Sequence, residues 1–274
     1  MTEPRTYPQG VPCWIDTEQP DLDAAREFYS GLFGWTLIDA VPADAPGSYL
    51  IATLNGQDVG AIGPGDSPPV WNTYIAVEDA DATASAVAAA GGTVLTKPYD
   101  VGPAGRTATC ADPGGAEFRL WLPRRRLGAQ LVNAPGSWNF SNLRTSDPKA
   151  ALAFYSAVFG WVADDMGDGA EAMLRVPGYG DHLAGTSDPD IYQRQAFAPP
   201  GFADVVAGLE PAGDGETQHW HVKLTVADRD DSAATAERLG ATVVSATQTP
   251  WTREALIRDP QGAEFSVSQF TPPA

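Results

Sequence analysis

Only three histidines occur in the 274 residues, and two of them, His219 and His221, flank Trp220 in the alternating run from His219 to Val226. On an extended strand alternate side chains share a face, so both imidazoles and Lys223 fall on one side. An imidazole there can take or give a proton near neutral pH, with Lys223 or Glu264 tuning it. A hydrogen-bonded or solvated pair is the structural reading of the same pattern. A second group is Asp16, Glu117 and Arg119. A carboxylate among aromatic walls can shift its ionisation enough for proton transfer, whereas Asp16 facing Arg119 as an ion pair is the structural alternative. His221, His219 and Asp16 are therefore the candidate catalytic residues.

Other chemistries are poorly provided for. The chain has no GxxxxGK[ST] phosphate loop, no dinucleotide fingerprint, no GxSxG elbow and no HExxH pair. Cys13 and Cys110 lie far apart without CxxC or Cys/His spacing, and read as reduced, buried spectators. With 35 acidic against 17 basic residues and a net charge of −18, a nucleic-acid partner is disfavoured, and the charge keeps the protein soluble. No apolar run is long enough to span a bilayer, and MTEPRTYPQG lacks the features of a leader, so no membrane partner and a cytoplasmic location are expected.

The elements that must position these residues occur in duplicate. DLDAAREFYSGLFGW (21–35) returns as DPKAALAFYSAVFGW (147–161), and DPGGAEF (112–118) returns as DPQGAEF (259–265). In each copy of the first, apolar residues recur at helical spacing. Asp21 and Asp147 stand at the N-cap and Gly34 and Gly160 at the C-cap. Around these landmarks, short apolar-alternating runs between turn residues predict two βαβββ units in each module. Module one covers 1–123, a Pro/Arg/Gly-rich linker 124–136, and module two 137–274. The fourth strand of module two is expected at His182 to Ala184. Extra residues in 187–217, rich in Pro and Gly yet holding Tyr192, Phe197 and Phe202, read as a loop insertion. That loop acts either as a lid or as a longer connection packed on its own module.

Four βαβββ units in two pairs, with the FY..LFGW and DP.G..F landmarks in order twice, resemble the vicinal oxygen chelate (VOC) superfamily, the glyoxalase and bleomycin-resistance fold. The resemblance spans nearly the whole chain. It implies an α+β architecture of cup-shaped mixed sheets, with helices on the convex side and a ligand in each cup.

Strand parity then separates a helix-packed row from a cup-lining row. Ile15, Ile75, Val77, Phe118, Leu120 and Leu122 form the apolar row of module one, and Leu143, Val222, Leu224, Val226, Phe265 and Val267 that of module two. The opposite rows hold Trp14, Asp16, Asn72, Tyr74, Glu117, Arg119 and Trp121, and Phe140, Asn142, Arg144, His219, His221, Lys223, Glu264, Ser266 and Ser268. Metal-using members of the family place His, Glu or Gln at positions that here hold Trp14, Asn72 and Arg119, and Phe140, His221 and Ser266. One imidazole does not make a chelate, so no metal and no cofactor are expected.

The residues expected to bind a ligand are Trp14, Asn72, Tyr74, Arg119, Trp121, Phe140, Asn142, Lys223, Trp251 and Ser266. The expected partner is an apolar or aromatic small molecule, sequestered by a monomer or homodimer or altered by cofactor-free lyase, isomerase or hydroxylase-like chemistry. The rival expectation is a metal-dependent enzyme of the glyoxalase or dioxygenase kind.

Overall fold

A computed structural model of the chain describes residues 4–66, 68–165, 172–213 and 215–271. Module one begins with β1 (Pro12–Gln19), α1 (Leu22–Phe33), β2 (Thr36–Asp39), β3 (Leu50–Leu54) and β4 (Gln57–Pro64). It continues with β5 (Val70–Ala76), α2 (Ala80–Ala89), β6 (Thr93–Val101), β7 (Gly105–Ala111) and β8 (Glu117–Pro123). Module two opens with β9 (Trp138–Thr145), α3 (Pro148–Phe159), β10 (Val162–Asp165) and β11 (Ala172–Arg175). Helices α4 (Tyr179–Gly185) and α5 (Ile191–Arg194), a 3-10 turn at Phe202–Asp204, and β12 (Val205–Pro211) follow. The last unit is β13 (His219–Thr225), α6 (Arg229–Arg238), β14 (Thr242–Gln248), β15 (Thr252–Arg258) and β16 (Glu264–Phe270).

These strands form two eight-stranded mixed sheets of identical order, β2-β3-β4-β1-β5-β8-β7-β6 and β10-β11-β12-β9-β13-β16-β15-β14. The α+β, two-module architecture is thus as expected.

The caps explain why the duplicated helices start and stop where they do. The Asp21 side chain accepts from the backbone N–H groups of Asp23 and Ala24, and Asp147 accepts from Ala150 with Pro148 at the first helical position. Gly34 and Gly160 close the two helices at φ 72° and 71°, a region costly for residues with a Cβ.

The chain packs as two compact units, each drawing on both modules. One gathers the stretch ending at Cys13 with Thr73–Gly128 and Ser141–Trp220; the other gathers Trp14–Asn72, Ala129–Phe140 and the stretch from His221 onward. In the second unit, Phe28, Tyr29 and Phe33 of α1 surround Phe265 of β16. Tyr29 donates to Asp259 at 2.7 Å, and Gln19 donates to the same carboxylate oxygen at 2.8 Å. The first unit repeats the arrangement with Phe154, Tyr155 and Phe159 of α3 around Phe118 of β8. There Tyr155 donates to Asp112 at 3.2 Å, and Gln218 donates to it at 2.8 Å. Both landmarks therefore meet, but each helix meets the DP turn of the other module.

The tryptophans that end the helical landmarks are paired in the same way. Trp35 Nε1 donates to the Gly136 carbonyl and Trp161 Nε1 to the Gly10 carbonyl, each at 2.7 Å. The segment 124–136, read from the sequence as a linker, thus contributes a specific acceptor to the core.

The apolar rows predicted from parity are buried, except Leu122, which is half-buried. One strand was misplaced. His182–Ala184 is not the fourth strand of module two but part of α4, whose first turn is anchored by the Asp204 carboxylate accepting from Gly180 N–H at 2.7 Å. The fourth strand is β12, which pairs parallel with β9. The stretch 187–217 is accordingly not a loop throughout, because it holds α5, the 3-10 turn and β12. Its run Val205-Val206-Ala207-Gly208-Leu209 is buried end to end, as a strand inside a sheet requires.

Candidate functional site

Two polar clusters stand out in the unit that contains α1 and α6. The first is built on β1, which turns Trp14 and Asp16 to the side opposite Ile15. The two oxygens of Asp16 accept from Asn72 Nδ2 at 2.8 Å and from the Tyr49 hydroxyl at 2.8 Å. Trp14 Nε1 in turn donates to the Tyr49 oxygen at 3.0 Å. Asp16 is 1% exposed, and Trp14 and Asn72 are 8% exposed each. A carboxylate so shielded requires directed donors, and Asn72 and Tyr49 supply two.

The second cluster follows from the register of β13, β16 and β15. Lys223 lies beside Ser266 and Thr225 beside Ser268 in the parallel pair, and Glu254 faces Ser268 across the antiparallel one. His221 Nε2 lies 2.8 Å from Ser266 Oγ, with His221 only 4% exposed. Lys223 Nζ is 3.1 Å from a Glu254 oxygen, and Ser268 Oγ donates to the other at 3.1 Å. An imidazole hydrogen-bonded to a serine, with an ion pair two residues along the same strand face, is a group that can take up or give a proton.

Two other residues of this unit were expected to meet a ligand. Phe140 of β9 is half-buried. Trp251 lies in the turn between β14 and β15, 39% exposed, and stacks on Phe270 at 6.4 Å and 17°.

In the unit that contains α3, the parallel register sets Tyr74 beside Arg119 and Ala76 beside Trp121. The Arg119 guanidinium lies 5.6 Å above the Tyr74 ring, and Trp121 meets that ring edge-on at 6.3 Å. Such a cation–π contact keeps a planar charge against an aromatic wall. Asn142 is turned into its sheet, donating to Glu210 and accepting from Gly208 N–H at 3.2 Å. His219 is placed unlike its neighbour in the sequence. Its side chain is 42% exposed, with Nδ1 2.8 Å from the Thr217 carbonyl and 3.8 Å from Glu216.

Sequence reasoning did not single out Tyr49 or Glu254. Tyr49 precedes β3 in a turn-rich segment, and only tertiary folding brings its hydroxyl to Asp16. Glu254 could have been found by extending the parity of β15 across to Ser268.

The fold implies a metal centre in many of its members, and the residues here do not fit one. Among the described residues, no group of three or more His, Cys, Asp or Glu side chains is arranged to hold an ion. The indole of Trp14 and the amide of Asn72, at two of the ligand positions, donate N–H groups to oxygen atoms.

Residues 19–120 match the model of the glyoxalase/bleomycin resistance protein/dioxygenase superfamily, and residues 139–268 match that of a glyoxalase-like domain. The chain belongs to the glyoxalase/bleomycin resistance/dioxygenase superfamily, with two modules in tandem. It is 39% identical over 99% of both chains to a Mycobacterium bovis protein with a provisional glyoxylase name, CFP32. It is 34% identical to the anthracycline biosynthesis protein DnrV of Streptomyces peucetius, over 96% of this chain and 94% of that one.

Similar solved structures include the Mn(II)-bound glyoxalase of Novosphingobium aromaticivorans, at TM-score 0.61 and 14% identity, covering 96% of this chain and 84% of that one. Another is the 2,2',3-trihydroxybiphenyl 1,2-dioxygenase of Sphingomonas wittichii, at TM-score 0.59 and 14% identity, covering 96% and 90%. At such identity these likenesses establish the fold. No helix among the described residues is long and apolar enough to cross a membrane.

Proposed function

We propose that this protein captures an apolar or aromatic small molecule on the sheet faces its helices leave uncovered. It does so without a resident metal ion, either sequestering the guest or altering it by acid–base chemistry. The observation that carries this reading is the His221–Ser266 pair beside Lys223, Glu254 and Ser268. These polar groups lie on the side of β13, β15 and β16 opposite Val222, Leu224 and Phe265. Shielding them from water costs free energy, and their mutual hydrogen bonds offset it. A face with that composition suits a largely apolar ligand bearing a few polar groups. The relative named for anthracycline biosynthesis supports an aromatic guest, and the relative with a glyoxylase name supports chemistry beyond storage. In that case His221 is the proton-transferring residue and Lys223 the group that tunes it.

Calorimetric titration of the intact protein with a panel of aromatic metabolites tests capture. Micromolar binding of at least one is expected, and a flat response to all would overturn the reading. His221→Ala should abolish any turnover while leaving affinity within about threefold, equivalent to less than 1 kcal/mol. A loss of affinity without change in turnover would assign His221 to binding instead.

A further inference from the structure

Leu122, the one member of the apolar rows that stays half-buried, borders a cavity of about 260 Å³. Pro8, Val77, Leu122 and Pro123 give this space apolar walls, and Gln9 and Glu78 supply polar groups. All six belong to the unit that contains α3. Val77 and Leu122 alternate with Ala76 and Trp121 along the chain, so the cavity lies on the opposite side of the sheet from the Tyr74–Arg119–Trp121 group.

One wall is the segment before β1, which is pinned on both sides of the lining residues. Arg5 Nη2 donates to the Tyr179 hydroxyl at 3.0 Å, and Gly10 N–H donates to the Ala76 carbonyl at 2.8 Å. The other wall is the end of β5 tied to β8, where Val77 N–H donates to the Trp121 carbonyl at 2.9 Å. Gln9 joins the two walls, its side-chain oxygen accepting from Glu78 N–H at 2.7 Å. A backbone N–H only donates, so the atom facing it is the amide oxygen, and the Gln9 NH2 group keeps its donors. Glu78 is exposed, and its carboxylate makes no hydrogen bond or ion pair among the described residues. Nor does α2 use it as a cap, because the Asp79 side chain accepts from the Asp81 and Ala82 N–H groups.

We propose that this cavity is a binding site, separate from the candidate sites above, for a small organic ammonium ion with an apolar body. The ammonium group pairs with Glu78, and the body lies against Pro8, Val77, Leu122 and Pro123. An exposed carboxylate alone holds a cation weakly, so the apolar walls supply part of the affinity. An anion would be set against the carboxylate, whereas the net charge of −18 favours the approach of a cation. The volume falls just short of the roughly 300 Å³ at which drug-sized pockets begin, which limits the ligand to fragment size. No covalent step is involved, and the site stands independently of capture by the other face.

Three probes separate the contributions when amide NMR shifts of the full chain are followed at neutral pH: 2-phenylethylammonium, the uncharged 2-phenylethanol, and methylammonium. The phenylethyl cation should bind saturably, shift the amides of Gln9, Val77, Glu78 and Leu122, and bind about fivefold more tightly than the alcohol, equivalent to roughly 1 kcal/mol. Methylammonium, which lacks the body, should bind at least about tenfold more weakly than the phenylethyl cation. Glu78→Gln alters an exposed side chain without partners and should bring the cation to within about twofold of the alcohol. Equal binding of cation and alcohol by the wild type would overturn the proposal, as would a cation preference that survives Glu78→Gln. Methylammonium binding as tightly as the larger cation would also overturn it, reducing the effect to attraction by an acidic surface. Shifts confined to Tyr74, Arg119 and their neighbours would overturn this site and leave capture standing. No saturable shift with any probe would overturn it as well.

Discussion

The Tyr29 hydroxyl donates to the Asp259 carboxylate at 2.7 Å although the residues are 230 positions apart, and it does so from within the most strongly repeated stretch of the sequence. Asp259 is also the centre of its own turn, where Oδ1 accepts from the backbone N–H groups of Gln261, Gly262 and Ala263 at 2.9, 2.7 and 2.9 Å. One aspartate thus shapes a turn and receives a helix from the other module. The equivalence of Asp112, bound by Gly114 and Ala116 N–H groups and by Tyr155, shows the device used twice.

Removing the phenol should cost about 1.5–3 kcal/mol, the range for a buried hydrogen bond to a charged group. Urea unfolding of Tyr29→Phe checks this. Asp259→Ala should cost more, because it also releases three turn donors. Equal losses for the two variants would mean that the turn forms without its aspartate.

Alkaline pH should reveal the same pair of tyrosines. Burial, with the neighbouring Asp259 next, holds Tyr29 well above the ordinary tyrosine range, and burial with Asp112 does the same for Tyr155. The folded chain therefore keeps protons that the unfolded chain loses near pH 10, so unfolding releases them. Stability is fully present below about pH 10 and falls as pH rises beyond it, by up to roughly 1.4 kcal/mol per pH unit for each tyrosine. Urea midpoints of the wild type and of Tyr29→Phe between pH 8 and 11 should show the shallower decline in the variant.

Both thiols should be silent in the folded state. Cys13 and Cys110 are fully buried, and burial raises the Cys13 thiol and pushes Cys110 up to about 12. Ellman's reagent at pH 8 should therefore titrate neither in the native protein and both in denaturant, since the thiolate is the reacting form. Rapid native labelling would contradict the packing of β1 and β7.

The donor set also makes a prediction about ions. Protein dialysed against EDTA should keep its affinity for an aromatic guest, and elemental analysis before dialysis should find far less than one Zn, Ni, Fe or Mn per chain. Stoichiometric metal, with binding lost on its removal, would favour glyoxalase or dioxygenase chemistry.

Much of this fold was readable in the chain because the deciding forces are local. Asp21 and Asp147 cap helices from within their own first turns, and residues such as Leu143, Val222 and Phe265 alternate on strands short enough to count by parity. β12 was missed because the two helices and 3-10 turn ahead of it shift the spacing the first module had set, and His182 falls where a strand would otherwise lie. The site was legible only in part. Parity grouped His221, Lys223 and Ser266, and also Trp14, Asp16 and Asn72. Extended to β15, it would also have placed Glu254 on that face, but it could not supply Tyr49, which depends on how distant segments meet.

The crosswise meeting of helix and turn also bears on how relatives of this protein could be recombined. A chimera joined at 124–136, taking one whole repeat from each parent, would separate Tyr29 from its native Asp259 and Trp35 from Gly136. Breakpoints that keep those partners in one parental sequence, such as a graft carrying 14–72 together with 129–140 and 221–271, would preserve more native pairings than the apparent joint between repeats.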